Sequence, residues 1–473
     1  MTPPRHEAPA GLPTPSRLRA LIGALEVGLL ERGTAARLAL VAALAGEHVL
    51  LIGPPGTAKS ELSRRLHRAF AGARYFERLL TRFSTPEELF GPLSLKALED
   101  DRYERLIDGF LPTAGIAFLD EVFKANSAIL NALLTLLNER EFDNGSGRLR
   151  TPLLSVVAAS NEVPVDDALR AFYDRFLLRI PVAPVSDAGF DALLSLPPAR
   201  AVPIEALSSG EREAVAAAAA GVMLGDGARQ ALAALRRWLA AQGGSVSDRR
   251  WRQWLGLMRT AAATEARTEL DAIDLWTAPY VVSPTPDWVP RIETWFEREL
   301  LRCAEQEAPW LTHAVEAFEQ QLRIEESAAP EGGNDGAAGK LALMRSVGGS
   351  GSGEEGMLRI VAPGLERSLR RRYSRMHVAA RVEQLDAMLA QLSGQRELIA
   401  AEHARLAAAL APRLWLPPEL AARLLAGPAR TLQRVDAMLA RLRATQAGFE
   451  ALPLDEGLAE TAPPPVAWAE AAP

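Results

Sequence analysis

A Gly-rich turn, GPPGTAKS at 53–60, constrains this chain more than any other feature of its sequence. An apolar run at 48–52 predicts a buried strand before the turn, and a helical pattern follows it. Such a turn points backbone N–H groups and the positive end of the helix dipole at a phosphate. The sequence therefore predicts a phosphate-binding loop within an α/β domain, with a plain strand-to-helix connection as the alternative.

The side chains of this turn suit a nucleotide with Mg²⁺. Lys59 would reach the β- and γ-phosphates, and the hydroxyl of Ser60 would bind the metal. Ala58 stands where glycine is usual, and we expect this change to be minor, provided that its φ is negative. The predicted nucleotide contacts from the turn are Gly53, Pro54, Pro55, Gly56, Thr57, Ala58, Lys59 and Ser60.

A second apolar strand, at 115–119, ends in the adjacent carboxylates Asp120 and Glu121. A strand that ends in Asp-Glu is common by chance, but here it follows a phosphate loop. Asp120 would bind Mg²⁺ through its water shell, and Glu121 would be the general base for the attacking water. We therefore predict Ser60 and Asp120 as metal-binding residues and Glu121 as a catalytic residue.

Two further catalytic candidates follow in the chain. Asn161 comes after the apolar strand at 153–158, and its amide could hold the attacking water, with a turn-forming role as the alternative. Arg175 lies in an arginine-rich segment and could neutralise charge on a neighbouring subunit's γ-phosphate, an effect of roughly 10³ to 10⁵ in rate. Arg170 is the second candidate for that role, and a solvated surface arginine is the alternative.

A pair of arginines begins a later helix, for which Ser247 or Asp248 is the expected N-cap. One of them could reach the nucleotide and couple the position of this helical region to the phosphate state. We predict Arg249 as catalytic and Arg250 as nucleotide-binding, and which of the two senses the nucleotide stays open. A charged first helical turn is the alternative.

Periodicity divides the chain into several segments. Alternating strands and helices up to about 184 indicate a parallel sheet, 203–279 has helical patterns without a credible strand, and apolar residues at 378–406 and 432–442 predict two long helices. We favour an antiparallel bundle over an intermolecular coiled coil. The predicted segments are a disordered N-terminus at 1–17, an α/β nucleotide-binding core at 18–195, an all-α lid at 196–285, a discontinuous helical domain at 286–325 and 364–455, a Gly-rich linker or reduced insertion module at 326–363, and a disordered tail at 456–473.

Composition narrows the class of protein. With 53 basic and 59 acidic residues the net charge is -6, which argues against a protein that coats nucleic acid. The single cysteine, Cys303, excludes an internal disulfide and fits a reducing cytoplasm. No apolar run approaches the roughly 20 residues that span a bilayer, so we expect a soluble cytoplasmic protein without signal peptide or anchor.

In order and spacing, five segments resemble the MoxR family of AAA+ ATPases and are most similar to its RavA (regulatory ATPase variant A) branch: GPPGTAKS, FLDEVFKANSAILNALLTLLNEREFDNG, VVAASNEVP, ALRAFYDRFLLRIPV and VSDRRW. The resemblance covers about 18–254 and resumes at 395–452, including PRLWLP at 412–417. It implies the following roles: Walker A for Gly53, Gly56, Lys59 and Ser60, Walker B for Asp120 and Glu121, sensor 1 for Asn161, the arginine finger for Arg175, and sensor 2 for Arg249 or Arg250.

The resemblance also implies an AAA+ core with a lid, ATP or ADP with Mg²⁺, a hexameric ring, and a partner with a von Willebrand factor A domain. An insertion at 91–110 and a hairpin at 143–151 would face the axial surface of the ring. The β-rich module of RavA-like proteins would fall near 334–363, where this chain has a Gly-rich segment and one β-like patch. A lysine decarboxylase partner, which enterobacterial relatives bind through that module, is therefore not expected.

We expect an ATPase that remodels or regulates partner protein complexes in the manner of a chaperone. One alternative is a nucleotide-gated scaffold with little turnover, although a complete set of catalytic residues argues against it. Another is a nucleic-acid motor, which the acidic net charge and the lack of a basic or aromatic-stacking motif disfavour.

Overall fold

The computed structural model describes residues 11–145, 147–164, 166–197, 203–305, 309–328 and 371–468. The chain divides into two units, the first comprising Met1–Arg302 with Ala409–Ala422 and the second comprising Cys303–Ala408 with Arg423–Pro473. The predicted Gly-rich segment at 326–363 lies outside the described residues from position 329 onward. The predicted end of the lid at 285 falls inside the first unit.

Two helices precede the sheet. Helix α1 (Pro15–Glu26) begins with proline in its first turn, and the Thr14 side chain accepts a hydrogen bond from the Arg17 N–H. It thus starts inside the segment predicted to be disordered. Helix α2 (Gly33–Ala45) is rich in Ala and Leu and is buried along nearly its whole length.

The central sheet of the first unit is parallel, with strand order β2-β3-β6-β1-β7. Its inner strands are buried on both faces, as their unbroken apolar sequences predict. In a parallel sheet all carboxyl ends lie at one edge, so the loops after β1, β3 and β6 meet there. The strands are β1 (Val49–Ile52), β2 (Tyr75–Leu79), β3 (Ile116–Asp120), β6 (Ser155–Ser160) and β7 (Leu178–Pro181).

Six helices accompany these strands: α3 (Lys59–Arg68), α4 (Pro86–Phe90), α5 (Leu95–Glu99), α6 (Ser127–Glu139), α7 (Asp167–Tyr173) and α8 (Asp187–Leu194). The predicted hairpin is present as β4 (Glu141–Asn144) and β5 (Gly147–Arg150). The predicted insertion at 91–110 contains α5 and an antiparallel bridge between Leu93 and Arg105. The Asn144 side chain accepts from the Arg105 N–H at 2.6 Å, which ties the hairpin to the insertion.

The lid consists of helices, as predicted, with Ser208 and Ser247 as side-chain N-caps of α9 and α11. Two short strands, β8 (Met223–Leu224) and β9 (Glu269–Leu270), pair within it and differ from the prediction of a region without strands. The helices are α9 (Ser209–Gly221), α10 (Asp226–Ala241), α11 (Asp248–Thr264), α12 (Ala278–Val282) and α13 (Trp288–Thr294), followed by a π-helical turn, Trp295–Leu300.

The second unit contains α14 (Pro309–Ser327) and most of two long helices, α15 (Arg375–Leu410) and α16 (Pro418–Glu450). Arg396 pairs with Asp436, and Gln446 donates to Asp386, so the two long helices are antiparallel. Residues 456–468, part of the tail predicted to be disordered, form no helix or strand, but Val466 and Trp468 pack against the apolar core of the second unit. The ring of Trp468, for example, lies 5.6 Å from that of Phe318.

None of the helices in the described part of the chain is long and apolar enough to cross a membrane.

Candidate functional site

The predicted phosphate loop lies between β1 and α3 and is held closely against its neighbours. The Gly53 N–H donates to the Ser160 carbonyl at 2.9 Å. A Cβ atom at Gly53 would lie 2.0 Å from the backbone oxygen of Val182, so only glycine fits at this position. Gly56 has a φ of +79°, a value that glycine adopts without strain.

Ala58 adopts a left-handed conformation, with φ 62° and ψ 25°. The prediction of a minor change depended on a negative φ and was wrong on that point. For an L-residue this conformation costs roughly 1–2 kcal/mol, because Cβ approaches the following carbonyl. The surroundings hold the loop in place: Thr57 Oγ1 donates to the Pro54 carbonyl, and Arg32 Nε donates to the Thr57 carbonyl, each at 3.0 Å.

Lys59 is buried at the start of α3. Its Nζ donates to the carbonyls of Gly53 and Pro54 at 2.7 and 2.8 Å, so the ammonium lies against the loop. Burial lowers the pKa of Lys59, while the charges of Asp120 and Glu121 raise it. The charges of Asp120 and Glu121 act on Lys59 because both carboxylates lie close to the loop.

Asp120, Glu121 and Asn161 meet at the carboxyl edge of the sheet, because β3 and β6 are neighbours. The Asn161 amide donates to Glu121 Oε1 at 2.5 Å, and the Glu121 N–H donates to Asp120 Oδ1 at 3.0 Å. Lys124 Nζ lies 3.4 Å from Glu121 Oε1. Glu121 has a left-handed backbone with φ 53°, a strained conformation typical of functional sites.

The donor set fits Mg²⁺. The Ser60 hydroxyl and the Asp120 carboxylate offer oxygen atoms, which Mg²⁺ prefers. In the described ranges, no group of three or more His, Cys, Asp or Glu residues could hold a metal ion. A metal ion at this edge would therefore need phosphate oxygens and water in addition to the two side chains.

A cavity of about 300 Å³ adjoins the phosphate loop, and our sequence analysis missed it. Its walls come from the segment between α1 and α2, from the loop itself, and from the segment after β7, including Leu30, Val185 and Leu193. Arg32 is buried beside it and links two of these segments, since its Nη2 donates to the Ala183 carbonyl at 2.6 Å. Such an apolar cavity next to a phosphate site suits the base of a nucleotide.

Arg175 lies at the other edge of the sheet. Strand β7 runs parallel to β1, with Leu178 opposite Val49 and Pro181 opposite Ile52. Arg175 precedes β7, whereas the phosphate loop follows β1, so the strand length separates them, roughly 10–13 Å for four residues. The pKa of Arg175 is lowered mainly by burial and further by the nearby charge of Arg249.

Arg249 accompanies Arg175 at this amino edge. Its Nη2 donates to Oδ1 of Asn138, near the end of α6, at 2.8 Å. Glu47, which precedes β1, accepts from Gln253 of α11 at 2.8 Å. The pKa of Glu47 is raised to about 7, because the effect of burial outweighs the opposing charges of Arg140 and Arg249. The structure therefore gathers Arg175 and Arg249 into one basic group away from the phosphate loop.

Arg250 does not belong to that group, and its prediction as a nucleotide-binding residue is corrected here. Its side chain is 3% exposed. The guanidinium donates to the carbonyls of Val281 and Phe176, each at 2.6 Å, and to Asp174 Oδ1 at 3.0 Å. Since its donors are used inside the protein, Arg250 joins the lid to the segment before β7, and Arg249 is the arginine that faces outward.

Comparison with known proteins agrees with this geometry. A family model described as the MoxR domain in the MoxR-vWA-beta-propeller ternary systems matches residues 16–203. A second model, described as an AAA lid domain, matches residues 229–296. Together they cover the sheet with its phosphate loop and most of the lid.

Three relatives show how far the similarity extends. An uncharacterized protein of Methanocaldococcus jannaschii is 40% identical over 264 residues, which are 54% of this chain and 69% of that protein. A second uncharacterized protein of that organism is 56% identical over 151 residues, 32% of this chain and 40% of the relative. Protein MoxR of Paracoccus denitrificans is 32% identical over 174 residues, 35% of this chain and 50% of the relative. The parallel sheet, the phosphate loop, the lid and these similarities lead to one conclusion: the chain belongs to the MoxR family of AAA+ ATPases.

Proposed function

We propose that this chain hydrolyses ATP at a site that two copies of the chain build together. One copy supplies the phosphate loop with Asp120, Glu121 and Asn161, and the next copy supplies Arg175 and Arg249. These arginines lie at the sheet edge opposite to the phosphate loop of their own copy. An arginine placed there serves a nucleotide in a neighbour.

The residues would divide the chemistry as follows. The loop N–H groups and Lys59 bind the phosphates, and Mg²⁺, when bound through Ser60 and Asp120, neutralises their charge. Glu121 accepts the proton of the attacking water. The Asn161 amide donates a hydrogen bond to the Glu121 carboxylate and holds this carboxylate in position. Arg175 from the neighbour neutralises charge that develops on the transferred phosphoryl group.

Such a shared site needs a head-to-tail interface, and repeated interfaces of this kind close into a ring. We propose a hexameric ring of the RavA-like type that uses hydrolysis to remodel or regulate partner proteins. The proposed partner carries a von Willebrand factor A domain. Support for this partner comes from the description of the matched family model, which places such domains beside MoxR domains.

Turnover of the Glu121→Gln variant tests the enzymatic part of the proposal. We expect ATP binding to be retained and turnover to fall by about 10² to 10⁴, as expected for loss of a general base. Lys124→Ala is the matched control, since Lys124 contacts the same carboxylate from an exposed position. Equal turnover of wild type and Glu121→Gln would remove Glu121 as the base.

A further inference from the structure

A second cavity, of about 500 Å³, lies at the amino edge of the sheet. It is lined by residues just before β2, β3 and β6, among them Gly72, Gly115 and Leu154. The phosphate loop follows β1 at the carboxyl edge, so this cavity is separate from the phosphate loop of the same copy. Its volume falls within the range of small-molecule sites, roughly 300–1,000 Å³.

Three arginines from different elements line this cavity. Arg74 precedes β2, Arg150 ends β5, and Arg212 lies in the first turn of α9. No aspartate or glutamate is among the lining residues. The lining therefore carries three positive charges and no negative one, in a chain whose net charge is -6.

The guanidinium groups have few partners inside the protein. In the part of the chain that the structure describes, the side chains of Arg150 and Arg212 make no hydrogen bond or ion pair. Arg212 Nε is shielded from solvent and has no acceptor. Arg74 pairs with Asp108, but their side chains are 62% and 88% exposed, so this pair contributes little. Buried donors normally have acceptors, and the residues that the structure describes supply none for Arg212 Nε, so a bound anion could serve as one.

The rest of the wall is apolar. Ile107, Pro112 and Leu154 contribute side chains to it. A ligand with anionic groups at the arginines and a compact neutral part against this wall would satisfy both surfaces. Guanidinium groups bind phosphate in a two-pronged geometry, and three of them can balance more negative charge than a single carboxylate carries.

We propose that this arginine cavity binds a small phosphorylated ligand with at least two negative charges. The cavity is distinct from both parts of the proposed ATPase site. The phosphate loop of the same copy lies at the opposite edge of the sheet, and Arg175 precedes β7, whereas the cavity is lined by residues before β2, β3 and β6. A bound ligand would contact the insertion through Ile107, the hairpin through Arg150 and the lid helix α9 through Arg212. The ligand would thereby order elements that border the nucleotide-binding core.

Calorimetric titration of the full chain with inorganic pyrophosphate tests this proposal. Lys59→Ala serves as the background, so that the phosphate loop contributes no binding. We expect saturable binding with Kd below about 1 mM at low ionic strength, weakened about tenfold or more by either Arg150→Ala or Arg212→Ala. Arg148→Ala is the matched control, because Arg148 lies on the same strand, pairs with Asp143, and is outside the cavity.

Thermal unfolding of each variant verifies that it is folded. Absence of saturable binding up to about 10 mM pyrophosphate would overturn the proposal. Binding that both cavity variants leave unchanged would overturn it as well. In an otherwise wild-type chain, Arg150→Ala and Arg212→Ala are expected to keep ATP binding, which separates this site from the nucleotide site.

Discussion

At the scale of single residues, two backbone positions shape the phosphate loop in different ways. Position 53 must be glycine for steric reasons, because any Cβ would collide with the Val182 carbonyl. At Ala58 the backbone conformation matters, since its positive φ turns the chain into α3 and directs Lys59 back toward the loop. The hydrogen bonds of Thr57 and Arg32 hold this strained turn in place.

Glu47 makes stability depend on pH. Burial raises its folded pKa from 4.5 to about 7, although Arg140, Arg249 and Arg250 oppose the rise and Gln253 donates to it. The folded chain therefore holds this proton more tightly than the unfolded chain does. The free energy of unfolding should fall as pH rises from about 4.5 to about 7, and the loss should be complete above that range.

The variant Glu47→Gln removes this titration. We expect it to be more stable than wild type at pH 8, by about 1–3 kcal/mol, and equal to it near pH 4.5. Denaturant unfolding across this pH range measures the difference. Glu205→Gln is the control, because the side chain of Glu205 is 78% exposed. A Glu47→Gln chain that is less stable than wild type at pH 8 would contradict the assignment.

At the scale of elements, helix α6 runs from the catalytic carboxylates of one copy to an arginine that this copy would present to the next. It begins shortly after Glu121 at the carboxyl edge and ends near Asn138, which holds Arg249 at the amino edge. Thirteen helical residues span roughly 20 Å, enough to reach from one edge to the other. A shift of α6 caused by the phosphate state of one copy would therefore move the arginine that this copy presents to the next.

Asn138→Ala should uncouple this arrangement. Without its acceptor Arg249 loses its fixed position, and we expect turnover to fall about tenfold while nucleotide affinity stays unchanged. Steady-state ATPase assays and equilibrium nucleotide binding measure the two quantities. Glu139→Ala, at the next position and half-exposed, is the control. Full turnover of Asn138→Ala would show that the hydrogen bond has no catalytic role.

The sequence predicted those parts of the fold and site whose cause is local. A buried strand followed by polar residues places Asp120, Glu121 and Asn161 at one edge of a parallel sheet, and the structure has them there. The cavity beside the phosphate loop has no such pattern, because three distant segments form it from ordinary apolar residues. Arg250 could not be separated from Arg249 for a similar reason, since its burial depends on contacts with 174–177 and 281.

At the scale of the whole molecule, the segment that joins the two long helices belongs to the first unit. Arg413 Nη1 donates to Asp274 Oδ1 at 2.7 Å, and both side chains are 5% exposed. Trp415 Nε1 donates to Thr264 Oγ1 at 2.8 Å. These hydrogen bonds hold the segment Ala409–Ala422 against the lid within the first unit.

If neighbouring copies share each ATPase site, two inactive variants should restore activity when they are mixed. Arg175→Ala keeps an intact phosphate loop, and Lys59→Ala keeps intact arginines. Each variant alone should be inactive, and Arg175→Ala should still bind ATP. In a random equal mixture about a quarter of the interfaces pair both intact halves, so ATPase activity should return to about a quarter of the wild-type value. No recovery at any mixing ratio, with both variants folded and assembled, would contradict the shared site.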